Sequence, residues 1–528
     1  MTMKVLVADK IADSGIDKLR EAYQVDVKTG LSEAELIDVI GDYDGLIVRS
    51  ATRATRPVIE AANNLKIIGR AGVGIDNVDV TAATERGIIV CNAPTSNVVS
   101  AAEHTWALLM AQARMIPQAN ASLKSGKWER SKFTGAEFYE KTLAIIGLGR
   151  IGTLIAERAR AFQMRIIGYD PYISEDRAAA IGVELFGSID ELLPQADFIT
   201  VHLPKTKETI GMFGAEQFAK MKDGVRLVNT ARGGIYQTDA LVDALKSGKV
   251  ASAAIDVFEV EPTTESPLFA LDNVIVTPHL GASTEEAQDR AGEQIAELVA
   301  AGLRGEMVST AVNIAPVSPD VMDKVGPYLQ LAEQQGAMVA QLAPGGVDAI
   351  EVVMVGGLAD TDTRILRTAV LKGMLTIATD EPVNYVNADY FARQRGIDVT
   401  ESKRTATHDY VSMIIVKATC AGTTVDVAAA LIGKKNEPRL VSLFGYDLDM
   451  MPESHMAFFL HPDRPGTIGK VGSILGDAGI NIGSMQVGRD EAGGTAMMGI
   501  TVDTALSAPL LARIKEEAGM QEAWSVEL

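Results

Sequence analysis

The 528-residue sequence predicts an α/β protein built from several sheets. Short, branched apolar runs recur from Val5 to Val276, each followed by a helical stretch, as in buried parallel strands joined by crossover helices. One run passes directly into Gly147-Leu148-Gly149-Arg150-Ile151-Gly152, a strand–turn–helix junction. From His455 onward the order becomes strand–helix–strand–strand–helix–strand. The chain is too long for one core and divides into three or four domains.

Residues 1–97 alternate strand and helix. Leu46-Ile47-Val48 ends in Arg49-Ser50, with Arg53 and Arg56 in the next loop; Ile67-Ile68 leads to Arg70; a third run closes in Pro94-Thr95-Ser96-Asn97. Arginines at successive strand ends suit a phosphate or a second carboxylate. Arg53 and Arg56 read equally well as surface charges, and Lys132, after Trp128, is a further candidate. The helix from about Val98 to Ile116 crosses to the second unit, residues 98–282.

That unit opens on the strand Thr142–Ile146. Gly147 permits the tight turn, Gly149 lets backbone approach a pyrophosphate, and Gly152 lets helix and strand pack closely, with the phosphates at the helix N-terminus. Arg165–Tyr169 is the next strand, and Asp170 follows 18 residues after Gly152, close to the spacing of a ribose 2′-hydroxyl acceptor. A carboxylate there repels a 2′-phosphate, and Pro171-Tyr172 supplies no basic substitute, so the cofactor is NAD rather than NADP.

Three strand ends then carry reactive groups. Arg232 lies in the turn after Val225–Thr230, where a guanidinium can grip a planar carboxylate with two parallel bonds. Ala253–Phe258 reads as the next strand, and Glu261-Pro262 closes its loop. His279 follows Val274–Pro278; an imidazole exchanges a proton near neutrality, and a carboxylate beside it stabilises imidazolium and holds the ring. Each alone reads as an ordinary charge or structural histidine. Together they describe a carboxylate clamp, a proton carrier and its partner, as hydride transfer at a 2-hydroxy acid requires.

The chain returns near Ser283, whose helix to Leu303 packs back on the first unit, giving a domain of 1–97 plus 283–305. Residues 306–447 read as mixed α/β, with a helix Tyr328–Ala343 and a strand Ile350–Val355. Lys434, Lys435 and Arg439 there suit an anionic effector or a solvated loop. Residues 453–528 form the last domain.

Composition limits the alternatives. A net charge of −20 argues against nucleic acid and requires a local basic pocket for any anionic substrate. No apolar run reaches membrane-span length, and the opening residues to Asp9 are strand-like, without a signal peptide's apolar core. Cys91 and Cys420 suggest neither a disulfide framework nor a metal site, so the expected compartment is a reducing cytoplasm.

The chain resembles the D-isomer-specific 2-hydroxyacid dehydrogenases, in their long form, through Gly147–Gly152, Asn229–Gly234, Asp256-Val257-Phe258 with Glu261-Pro262, and Pro278–Ser283. The resemblance implies a Rossmann-type nucleotide domain inserted in a flavodoxin-like substrate domain, then an intervening domain and an ACT domain. It implies Arg232, Glu261 and His279 as the catalytic set and nucleotide contacts at Arg150, Ile151, Asp170, Thr230, Ala231, Asp256, Gly281 and Ala282, with Asp256 at the nicotinamide carboxamide. Substrate contacts are implied at Arg49, Ser50, Arg70 and Asn97. The implied substrate is 3-phospho-D-glycerate, oxidised to 3-phosphohydroxypyruvate in the first step of L-serine synthesis. L-serine is the implied effector, at His461, Asp463 and Asn481, and a homotetramer the implied assembly. Another D-2-hydroxy acid as substrate, or a non-catalytic NAD(H)-sensing scaffold, are the alternatives.

Overall fold

In the computed structural model, which describes residues 2–406 and 410–528, the apolar runs assemble into four sheets. The first holds Lys4–Val7 (β1), Gln24–Val27 (β2), Gly45–Val48 (β3), Ile67–Arg70 (β4) and Ile89–Asn92 (β5), all parallel, in the order β2-β1-β3-β4-β5. This is the flavodoxin-like winding, whose switch point lies between β1 and β3. Arg49 follows β3 directly, at the carboxyl edge where such sheets bind ligands.

The second sheet holds Thr142–Ile146 (β6), Arg165–Tyr169 (β7), Glu184–Leu185 (β8), Phe198–Val201 (β9), Val225–Asn229 (β10), Val250–Ile255 (β11) and Val274–Val276 (β12). Its order, β12-β11-β10-β9-β6-β7-β8, is the doubly wound nucleotide-binding arrangement, switching between β6 and β9. β6 and β9 are buried at every position, which explains why the sequence shows continuous rather than alternating apolar runs. β11 starts three residues before the expected Ala253 and stops at Ile255, so Asp256 begins the loop.

The crossing helix is Val98–Ala113; Met115, two residues on, adopts a left-handed conformation, and a second helix, Ile116–Lys124, follows. The returning helix Glu285–Leu303 is N-capped by Thr284 and covers the first sheet: a Cβ on Gly69 would lie 2.6 Å from Val299. Gly15 and Gly292 bring this helix against Asp13–Arg20, since a Cβ on Gly15 would stand 2.4 Å from the Gly292 carbonyl oxygen.

The third sheet is mixed: Ala349–Gly356 (β13), Asp398–Arg404 (β14), Ser412–Cys420 (β15), Thr423–Ile432 (β16), Glu437–Leu443 (β17) and Tyr446–Met450 (β18), ordered β14-β13-β15-β16-β17-β18. Helices Leu329–Leu342 and Arg364–Ala378 pack tightly together: a Cβ on Gly373 would lie 1.9 Å from the Glu333 carbonyl oxygen. The fourth sheet, His455–Pro462 (β19), Ile482–Arg489 (β20), Thr495–Val502 (β21) and Glu522–Glu527 (β22), is antiparallel in the order β20-β21-β19-β22 and carries helices Thr467–Asp477 and Ala508–Ala518, the expected βαββαβ unit. Cys91 and Cys420 are free, buried thiols. Among the described residues, no helix is long and apolar enough to cross a membrane.

Candidate active site

Each glycine of the 147–152 turn has a distinct reason. Gly147 sits at φ +96, and a Cβ there would lie 2.6 Å from the His202 carbonyl oxygen; one on Gly152 would lie 2.1 Å from the Gly147 carbonyl oxygen. A Cβ on Gly149 would meet nothing within 4 Å, so the chain itself does not demand glycine there. The open space there leaves room for a phosphate to approach the backbone at the start of helix Arg150–Ala161, whose N-cap Gly149 offers no side chain to the first-turn amides. Asp170 stands at the end of β7 and accepts hydrogen bonds from Leu148 N (2.8 Å) and Tyr172 N (2.9 Å). These fix the carboxylate beside the glycine turn and leave lone pairs for a ribose diol. The donor set fits NAD.

The strand-end loops of β10, β11 and β12 are stitched in series: Asp256 N donates to the Asn229 carbonyl and His279 N to the Asp256 carbonyl, at 3.0 and 2.9 Å. Asn229, 2 % exposed, braces the arginine turn by donating to the Arg232 carbonyl (2.9 Å) and accepting from Ala231 N (3.0 Å). A Cβ on Gly233 would lie 1.8 Å from the Phe258 carbonyl oxygen, so that turn presses directly on the loop bearing Glu261.

Within this frame His279 Nδ1 and Glu261 Oε2 lie 2.6 Å apart, and Glu261 Oε1 accepts from Phe258 N at 2.8 Å. With Nδ1–H donating to the carboxylate, Nε2 is the nitrogen left to exchange a proton. Burial pushes the Glu261 carboxyl up, but the His279 hydrogen bond, the Phe258 amide and the His279 charge outweigh it and hold the group below the usual carboxylate value.

Arg232 reaches out of the nucleotide lobe: its Nη2 would lie 3.0 Å from a Cβ on Gly74, in the loop after β4. Arg70, at the end of β4, lies over Gly72, where a Cβ would stand 1.8 Å from Nη1. Burial first, then the charges of Arg232 and Arg49, hold the Arg70 guanidinium down to about 10, against the opposing pull of Asp76 and Asp9. Arg70 Nε and Asn97 Oδ1 are both buried without a partner. Three mutually repelling guanidiniums from two lobes therefore converge on one cleft, and an anion with two acidic groups would relieve them. Ser50 is exposed beside them.

Other candidates fall elsewhere. Arg56 is committed to Glu85 at 2.6 Å, Lys132 to Glu129 at 2.5 Å, and Arg439 to Glu437 and Asp449, each at 3.4 Å. Thr230, 9 % exposed, shares a 2.7 Å hydrogen bond with Thr105. Asp256 is fully buried and accepts from Leu280 N and Gly281 N at 2.7 and 3.0 Å, so it also braces the loop that carries His279. Ala282 and Ile151 are half-buried and Arg150 is exposed. Sequence reading missed Asn229, His104 and His202. Burial pushes His202 down to about 3, so it is neutral, and its carbonyl packs on Gly147 at the β9 end of the switch point. The His202-Leu203-Pro204 strand end was the available signal for it.

In the fourth sheet, His461 is 2 % exposed; Nδ1 donates to the Pro462 carbonyl (2.9 Å) and Nε2 has no partner. Asp463 pairs with Arg489 at 3.4 Å. Asn481 is not beside them. Pro462 pairs with Thr495 and Ile482 with Val502, so these candidates stand at opposite ends of β21, about 20 Å apart at strand rise.

A doubly wound sheet with an acid-closed glycine turn, beside an arginine clamp and a carboxylate-braced imidazole, defines a nicotinamide-dependent dehydrogenase of 2-hydroxy acids. Residues 106–281 match the family model of the D-isomer specific 2-hydroxyacid dehydrogenase NAD binding domain, 324–444 that of the D-3-phosphoglycerate dehydrogenase intervening domain, and 455–519 that of the ACT domain. The chain is 48 % identical over 526 residues to a D-3-phosphoglycerate dehydrogenase of Synechocystis sp., covering 99 % of this chain and 95 % of that one. It is 47 % identical over 526 residues to one of Methanocaldococcus jannaschii, covering 100 % of both. Among solved structures, it resembles D-lactate dehydrogenase from Aquifex aeolicus complexed with NAD and lactic acid, with TM-score 0.52 and 28 % identity over 57 % of this chain and 96 % of that one. The chain belongs to the D-3-phosphoglycerate dehydrogenase family.

Proposed function

We propose that the chain oxidises 3-phospho-D-glycerate to 3-phosphohydroxypyruvate, with NAD as hydride acceptor, as the first step of L-serine synthesis in a reducing cytoplasm. The observation that carries this reading is the convergence of Arg49 and Arg232 on Arg70, together with the Glu261–His279 pair on loops of the same sheet as Arg232. Arg232 grips the carboxylate; Arg49 and Arg70, with Ser50 and Asn97, take the phosphate. His279 Nε2 accepts the C2 hydroxyl proton, and Glu261 holds the resulting imidazolium. Bound NAD supplies the hydride acceptor, seated on Gly147–Gly152 with its ribose on Asp170. Residues 1–97 with 283–305, 98–282, 306–447 and 453–528 are the four domains of this reading, the first two closing on the substrate.

The last domain is read as an L-serine sensor using His461, Asp463 and Asn481. Because Asn481 stands at the far end of the sheet, one pocket takes His461 and Asp463 from one chain and Asn481 from a second, which supports an oligomer; a homotetramer allows both kinds of domain to pair. The test is NADH formation from NAD and 3-phospho-D-glycerate, with and without serine. Turnover that serine suppresses is expected. Binding of NADH without turnover would overturn the enzymatic reading.

A further inference from the structure

The Asp256 carboxylate lies wholly inside the protein, and among the described residues its ion-pairing partner is a histidine: His104 Nε2, 3.2 Å from Asp256 Oδ1. His104 belongs to the crossing helix Val98–Ala113, not to any strand-end loop of the cleft. The same Asp256 oxygen accepts from Thr277 Oγ1 at 2.6 Å and Leu280 N at 2.7 Å, and Oδ2 accepts from Gly281 N at 3.0 Å. His104 Nε2 also lies 3.3 Å from Thr277 Oγ1.

Thr277, Leu280 and Gly281 all donate to this carboxylate, and His104 donates as well when Nε2 carries the proton, so the cluster suits an ionised Asp256. A buried carboxylate that loses one of its donors takes up a proton more readily. Its new O–H would then face amide N–H groups, and the Leu280 and Gly281 contacts would weaken. Those contacts matter because His279, between Thr277 and Leu280, is held at φ +56, a left-handed conformation that a non-glycine residue keeps only when its surroundings impose it.

We propose that His104 is a positioning residue: through Asp256 and Thr277 it locks the loop that presents His279, without touching the reacting atoms. This rests on the reading of His279 as the proton carrier.

The test compares His104→Leu with His104→Gln in the full chain. In the nucleotide-free protein, amide hydrogen exchange in the Thr277–Gly281 loop should quicken about tenfold in H104L and stay near wild type in H104Q, whose amide restores a donor. With NAD, H104L should lose about tenfold in kcat, with NADH affinity by fluorescence changed less than about twofold. Unchanged exchange in H104L, or H104Q behaving as H104L, would overturn the proposal. Should H104L fail to fold, Thr277→Val, which removes a donor to the same oxygen, is read in its place. If the wild type turned over no 3-phosphoglycerate, the proposed activity would fail while the exchange result still decided what His104 does.

Discussion

The cleft between the first two sheets and the fourth sheet differ in how their candidate residues are supplied. In the cleft one chain brings everything together: Arg70 feels the charge of Arg232 across the lobes, and Glu261 meets His279 at 2.6 Å. In the last domain one chain separates the candidates, with His461 and Asp463 at one end of the sheet and Asn481 at the other. Chemistry needs sub-ångström placement, which successive strand-end loops of one sheet can provide. The proposed effector pocket, drawn from two copies, would report instead on how those copies are arranged.

The largest effect breaks the cleft itself. His279→Ala should lower kcat by about 10²–10⁴ in NADH-formation assays, the range of a lost general base, with NADH affinity little changed. Complementation then sharpens the comparison. Mixing and reassembling Asp463→Ala with Asn481→Ala chains should recover serine inhibition that each variant alone has lost, because half the pockets of a mixed interface are intact. Mixing Arg70→Gln with Arg232→Ala chains should recover no activity, since both arginines serve one cleft of one chain. The opposite pattern would invert the assignment.

Smaller effects follow from charge. Because the Arg70 guanidinium is held down to about 10, its charge costs the native state stability at every pH below that value. Arg70→Gln should therefore stabilise the ligand-free protein by about 1–2 kcal/mol in thermal melts near neutral pH, after allowance for screening by cleft water. Glu261 shifts the other way. Its depressed carboxyl contributes stability that is complete above its ordinary value of 4.5 and is lost as pH falls through its lower folded value. Glu261→Gln should cost about 0.5–1 kcal/mol at neutrality, and the gap from wild type should narrow as pH drops below about 4.5.

Much of this was legible in the sequence, for identifiable reasons. The glycine turn, Asp170, Arg232, Glu261 and His279 all lie directly after apolar runs, and a doubly wound sheet gathers strand ends along one edge. Strand continuity was readable because β6 and β9 are buried on both faces. His104 was not readable, because a histidine within a helix gains meaning only from neighbours far along the chain; Asn229 was legible as part of a motif but not as the brace of the arginine turn. The break at Met115 was also hidden, because its left-handed backbone carries no glycine to announce it. Asn481 was legible as a residue but not as a position, since the register that moves it to the other end of the sheet is a tertiary fact.

On the proposed reading, Arg49 and Arg70 select a second anionic group while Arg232 holds the first. The most direct measurement is the ratio of kcat/KM for 3-phospho-D-glycerate to that for D-glycerate, in wild type and in Arg70→Gln. The account predicts a ratio that falls by about 10–100-fold in the variant, mostly through loss on the phosphorylated substrate. An unchanged ratio would contradict it.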